Sequence, residues 1–358
     1  LLNDPSTASL NTVRSSSPRR HFMKSYLITL LAPALILVSG RTPNLAQSAE
    51  SSAESSAVPS VGVPTGVSTG VSTGVSTGVS TASDLPEISA ESPVADEEIR
   101  ARFRTGLEGL QRAKLTTSGE ELNEQLKGRA ECTLSLPPEW TEQLTTESLF
   151  RDCRPSTLIV GNIYKCGKCS RWHESMASGF AIAPDVVATN YHVMENDKAA
   201  TFAVMTAAGN LYPVIEVLAG NEEDDAAIVR VSIPEGKPAL TPVPIAAHTR
   251  IGGRVAVISH PAGQFYTFTE GMVSRYAAFQ SADDGPTSVR MTITADYARG
   301  SSGAPVFDSC GNVCGMVSST KSIYYDKGNK DSKGDLQMVV NSCVPAASIL
   351  NLITAPKE

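Results

Sequence analysis

An all-β fold, a barrel or sandwich of short strands, is what the C-terminal two thirds of this 358-residue sequence predicts. Two observations carry that reading. Runs such as Thr157-Leu158-Ile159-Val160, residues 254–258 and residues 312–318 are short, rich in β-branched residues, and bounded by Gly, Pro and Asp. No long helical pattern separates them, and one short helix is expected at residues 345–352 to close the domain.

The front of the chain is of a different make. Residues 26–40 form an apolar run behind Arg19, Arg20 and Lys24, with the length and flanks of a signal-peptide core rather than a full membrane span. Cleavage after Ala46 or Ala49 fits the small-residue rule. Arg19-Arg20-His21-Phe22-Met23-Lys24 is similar to a twin-arginine export signal, with Pro18 where Ser or Thr is usual; the rival reading starts translation at Met23. Either route makes residues 1–49 an export segment and the destination periplasmic or extracellular. Membrane contact is then expected only through an uncleaved segment.

Residues 50–95 read as a low-complexity stalk. Its Gly-Val-Ser-Thr repeats, ending at Thr81, bury too little apolar surface to offset the entropy of ordering the chain, so it is expected to be disordered. Residues 96–149 read as a helical linker, with a helix from Asp96 to about Leu115. Acids lead and bases follow, as the helix dipole favours, and Ile99, Phe103, Leu107 and Leu110 share one face. A solvated linker is the preferred reading, docking onto the next domain or self-association the alternatives.

The chemistry lies in residues 150–356. In Asp296-Tyr297-Ala298-Arg299-Gly300-Ser301-Ser302-Gly303-Ala304-Pro305, Ser302 is a serine among small residues, where a scissile carbonyl can approach both the hydroxyl and nearby backbone N–H groups. Residues 179–193 read as two apolar strands around a Pro-Asp turn that deliver His192 just past the second strand. Asp225 abuts the next strand, Ala226-Ala227-Ile228-Val229-Arg230-Val231. The order is His, Asp, Ser, a base, an orienting acid and a nucleophile.

Thr189-Asn190-Tyr191-His192-Val193, residues 225–231 and Arg299-Gly300-Ser301-Ser302-Gly303-Ala304-Pro305 together resemble a trypsin-like serine peptidase of the bacterial Deg/HtrA branch. Residues 253–263, followed by Thr269-Glu270-Gly271-Met272-Val273-Ser274, are similar to that branch's segment between acid and nucleophile. The resemblance spans roughly residues 150–353. It implies a chymotrypsin-like double β-barrel with the site in the cleft between barrels, and an exported endopeptidase acting on protein or peptide substrates. Catalytic His192, Asp225 and Ser302 are implied, with the N–H groups of Gly300 and Ser302 as the oxyanion hole. By the same register Asp225 is preferred over Asp224, and Ser302 over Ser301. Ser301 stands where digestive trypsins carry an aspartate that pairs with a new N-terminus, so that activation switch is not expected. Ala304 replaces a more usual glycine.

Asp296, six residues before Ser302, is the candidate floor of a basic-selecting specificity pocket; the counter-reading leaves it to its own turn. The few residues after Leu352 leave no room for a C-terminal PDZ module, so none is expected. His260 and His248 are read as turn and loop histidines.

The seven cysteines are Cys132, Cys153, Cys166, Cys169, Cys310, Cys314 and Cys343. Export makes disulfides the default, and the odd count leaves one unpaired. Cys166-Gly167-Lys168-Cys169 with His173 also has the look of half a zinc site, but no second Cys-x-x-Cys follows, so a disulfide is preferred and no metal or other cofactor is expected. From residue 150 onward 18 basic residues face 20 acidic ones, a balance that argues against nucleic acid as a partner. Oligomeric state is open. The second functional class is a catalytically silent binding module on the same fold.

Overall fold

The computed structural model describes residues 93–280, 287–325 and 335–356. The expected export segment and the stalk up to residue 92 lie outside them. Among the described residues no helix is long and apolar enough to cross a membrane.

Helices α1 (Asp96–Arg112) and α2 (Gly119–Gly128), strand β1 (Cys132–Thr133) and helix α3 (Thr146–Cys153) come first. Six antiparallel strands follow: β2 (Thr157–Lys165), β3 (Trp172–Ala183), β4 (Val186–Thr189), β5 (Ala199–Met205), β6 (Leu211–Asn221) and β7 (Ala226–Val231). A single-turn helix, α4 (Tyr191–Met194), lies between β4 and β5. They close as a barrel in the order β2-β3-β4-β7-β6-β5. The second barrel is built from β8 (Arg254–Ser259), β9 (Thr267–Gln280), β10 (Thr287–Ile293), β11 (Pro305–Phe307), β12 (Val313–Tyr324) and β13 (Leu336–Pro345), closed as β10-β13-β12-β11-β8-β9. The expected C-terminal helix is α5 (Ala346–Leu350), and β14 (Ile353–Thr354) then pairs in parallel with β1.

The alternation of side chains along a strand explains why β2 is buried throughout most of its length. Leu158 and Val160 point into the first barrel with Val187, Phe202, Val204 and Val229. Ile159 and Ile163 point outward, into a core they share with Ile99, Phe103 and Leu107 of α1. The solvated-linker expectation for residues 96–149 is therefore corrected: α1 is docked. Ile99, Phe103 and Leu107 are buried, the last two 0% exposed, and Leu110 packs half-buried against the same core; each fully buried side chain contributes about 2 kcal/mol. Room for Phe103 exists because residue 161 is glycine; a Cβ there would sit 2.9 Å from the Phe103 ring. Helix α2, capped by the Ser118 hydroxyl on the Glu121 N–H (3.1 Å), covers the first barrel with Leu122 and Leu126.

Val255, Val257, Val273, Met291, Ile293, Val306 and Val317 fill the second barrel together with Cys314 and Cys343. Burial pushes those two thiols, and that of Cys153, up to about 12, so all three are inert core residues. All seven cysteines are free thiols, against the disulfide expected from sequence.

Candidate active site

His192 lies on α4, the turn that β4 feeds, and Asp225 ends the loop before β7; β4 and β7 are hydrogen-bonded neighbours, which brings the two together. His192 Nδ1 and Asp225 Oδ1 are 2.8 Å apart, and the same oxygen accepts the His192 backbone N–H at 3.2 Å. The second oxygen accepts the Ser318 hydroxyl at 2.6 Å. A carboxylate only accepts, so Nδ1 carries the proton and Nε2 keeps its lone pair. Asp225 adopts φ +58°, a left-handed conformation that Asp tolerates better than most residues, and its carbonyl is held by the Asn190 side chain at 2.9 Å. Asp224, the competing acid, is half-buried and faces Arg290 at 3.9 Å instead.

Ser302 sits in the turn before β11, between two glycines that the turn requires. Gly300 has φ +100° and Gly303 φ +85°. A Cβ on Gly300 would lie 2.6 Å from the His260 carbonyl, and one on Gly303 2.0 Å from that of Ser178. Ser178 of β3 latches this turn to the first barrel: its N–H donates to the Ser302 carbonyl (2.8 Å) and its hydroxyl to the Gly300 carbonyl (3.1 Å). The Ser302 hydroxyl donates to the Ser318 carbonyl at 3.3 Å and makes no hydrogen bond to His192. Ser318 thus joins both halves, touching Ser302 through its carbonyl and Asp225 through its hydroxyl. Sequence reading missed it; nothing local distinguishes Ser318 from its neighbour Ser319.

Neither the Gly300 nor the Ser302 N–H is spent on an acceptor among the described residues. The Arg299 carbonyl accepts the Ala262 N–H at 2.6 Å, and because a trans peptide directs its N–H opposite to its carbonyl, the Gly300 N–H points away from Ala262. Ser301 is fully buried and donates to Ser259 (3.0 Å), a local anchor where trypsins carry a charge. Ala304, also fully buried, packs in the second-barrel core.

Asp296 is exposed, whereas a pocket floor would be enclosed; only its carbonyl is engaged, by Thr269 (2.8 Å). Neither the basic-selecting floor nor a carboxylate bonded to its own turn is formed. His248 stacks on Tyr276. His260 is no ordinary turn residue. Its ring is 1% exposed, Nε2 faces the Leu158 carbonyl (3.2 Å), Nδ1 accepts the Tyr266 N–H (3.1 Å), and burial lowers its pKa to about 4. Cys166, Cys169 and His173 do converge, at the end of the β2–β3 hairpin, with their ligand atoms within 4.8 Å of one another.

Two closed six-stranded antiparallel barrels are a chymotrypsin-like fold, with a His-Asp pair on the first barrel and a glycine-flanked serine on the second. Residues 177–316 match the model of the trypsin-like peptidase domain. The chain carries such a domain and is homologous to the DegP/HtrA-like serine proteases. It is 26% identical over 202 residues to "Protease Do-like 1, chloroplastic" of Arabidopsis thaliana, covering 54% of this chain and 45% of that protein. Against "Serine protease Rv3671c" of Mycobacterium tuberculosis identity is 31% over 148 residues, 39% of this chain and 35% of the other. Against "Probable periplasmic serine endoprotease DegP-like" of Brucella suis it is 30% over 156 residues, 42% and 29% respectively. The chain spans less than half the length of each. A crystal structure of Rv3671c in an inactive form superposes with a TM-score of 0.43 at 22% identity, covering 61% of this chain and 95% of that one.

Proposed function

We propose that this chain is an exported serine endopeptidase that hydrolyses accessible segments of other proteins through an acyl-enzyme. The observation that carries the reading is the Asp225 carboxylate, saturated by His192 Nδ1, the His192 N–H and Ser318, which leaves His192 Nε2 free as a base. A serine hydroxyl is too weakly acidic to attack unaided, so His192 takes the Ser302 proton as Oγ bonds to the scissile carbonyl, then returns it to the leaving amine. Asp225 keeps the tautomer and stabilises the imidazolium. The Gly300 and Ser302 N–H groups receive the developing oxyanion, each worth about 3 kcal/mol to the transition state. Export rests on the apolar run behind basic residues near the start of the sequence, and on a relative named as periplasmic.

A catalytically silent binder is favoured by one observation only, the Ser302 hydroxyl resting on the Ser318 carbonyl instead of His192. Catalytic hydrogen bonds are commonly long or unformed without substrate and tighten only when it binds. Labelling with a fluorophosphonate probe decides. Reaction at Ser302 that is lost in His192→Ala is expected, with turnover of an unfolded protein lowered about 10⁴-fold or more in that variant. An unreactive chain with native circular dichroism would establish the binder.

A further inference from the structure

We propose that Cys166, Cys169 and His173 form a mononuclear zinc site at the tip of the β2–β3 hairpin. Strands β2 and β3 are paired as far as Lys165 opposite Trp172, so Cys166 leaves the end of one strand and His173 stands one step inside the other, opposite Tyr164. The loop between them turns back through Gly167, whose φ of +73° is a conformation that side-chain-bearing residues avoid. That turn carries Cys169 round to face both: its sulfur is 3.5 Å from that of Cys166 and 3.2 Å from His173 Nε2.

These spacings are those of ligands around one small ion. Zinc–sulfur bonds of about 2.3 Å and zinc–nitrogen bonds of about 2.0 Å in a tetrahedron place sulfurs ~3.8 Å apart and sulfur and nitrogen ~3.5 Å apart. A disulfide would need the two sulfurs at about 2.05 Å and would leave the imidazole aimed at a sulfur with nothing to bind. The surroundings hold each ligand in place. The Tyr164 ring stacks on the His173 imidazole, with centroids 5.6 Å apart, and sets its plane. Lys165 closes the loop by donating to the Ser170 carbonyl while lying over the Trp172 ring. Two thiolates and a neutral imidazole suit zinc, and the fourth position falls to water because both cysteines are solvent-exposed.

The test is titration of the reduced full chain with Co²⁺, which reports geometry by its visible spectrum, followed by displacement with Zn²⁺. Stoichiometric binding with thiolate-to-cobalt charge transfer and intense tetrahedral bands is expected, together with a Zn²⁺-dependent rise in melting temperature. Cys166→Ser, Cys169→Ser and His173→Ala should each weaken binding at least tenfold, while Cys310→Ser leaves it unchanged. Four results overturn the proposal: no thiolate band in a folded chain whose thiols titrate as free, undiminished binding in His173→Ala, no change in melting temperature on loading, or a Cys166–Cys169 disulfide in protein isolated without reductant.

Discussion

Acid should destabilise this protein through His260. The ring is enclosed by Phe265 and Tyr266, and its two nitrogens are committed, one donating to Leu158 and the other accepting from Tyr266. Burial lowers its pKa from the ordinary 6.5 to about 4, so between those values the unfolded chain binds a proton that the folded chain refuses. Stability therefore rises with pH across this window and is lost as pH falls from about 6.5 towards 4. At 1.36 kcal/mol per unit the loss is ~3 kcal/mol, a large part of a typical folding free energy of about 5–15 kcal/mol. Glu216, whose pKa is lowered by the Arg129 hydrogen bond, acts in the same direction but only below 4.5. Urea denaturation followed by circular dichroism at pH 7, 6, 5 and 4.5 measures the loss, and His260→Gln, which cannot titrate, should flatten it. Equal losses in wild type and His260→Gln would refute the argument, as would an NMR titration in which the His260 ring protonates near 6.5.

The other expectations concern the site. Ser318→Ala removes one of three hydrogen bonds to the Asp225 carboxylate, worth about 1.5 kcal/mol, and should lower kcat/KM against a peptide substrate roughly tenfold while leaving the fold intact by circular dichroism. Gly303→Ala forces a side chain into φ +85° and within 2.0 Å of the Ser178 carbonyl; a cost above about 3 kcal/mol is expected, read as a collapse of both fluorophosphonate labelling and melting temperature. Arg100→Ala frees the Ala262 carbonyl from its 3.2 Å donor and should lower kcat several-fold with KM little changed, for a loss of about 1 kcal/mol.

What was legible in the sequence, and what was not, divides by the range of the contact. His192 follows β4, Asp225 precedes β7 and Ser302 precedes β11, so local pattern and chain order place them as candidates; the short strands around them read as a barrel or sandwich, and the double barrel was what the family resemblance implied. The helix expected from Asp96 to about Leu115 was legible too, with the right apolar face, although it ends at Arg112. What covers that face was not, because the partner of Phe103 is the missing side chain of Gly161, and a glycine within a strand gives no sign of what fills the space above it. Ser318 is hidden for the same reason. Its value lies in a hydrogen bond to a residue 93 positions away. His260 was underestimated because the residues that bury it, Phe265 and Tyr266, enclose it only once the loop has folded back. Asp296 failed in the other direction: an offset of six residues from the serine fixes distance along the chain, but not whether the side chain turns into a pocket or out to solvent.

The docking of α1 connects this long-range packing to the site. In the proposed mechanism the Gly300 N–H faces the oxyanion only if the peptide it shares with Arg299 keeps one of its two orientations, and Gly300, lacking a Cβ, does little to choose between them. The choice is made by the Ala262 N–H at the Arg299 carbonyl. Ala262 itself has φ +52°, a conformation that costs a non-glycine residue of order 1 kcal/mol, so it needs outside support. That support comes from α1: Arg100 donates to the Ala262 carbonyl and lies over the Phe265 ring, and Asp96 accepts the Phe265 N–H at 3.0 Å. Gly263 is what lets Arg100 in, since a Cβ there would lie 1.6 Å from its guanidinium. Arg100 of α1 thus stands two hydrogen bonds from the Arg299–Gly300 peptide, the proposed oxyanion donor, and a domain boundary drawn at residue 150 would cut away the helix that supports that peptide.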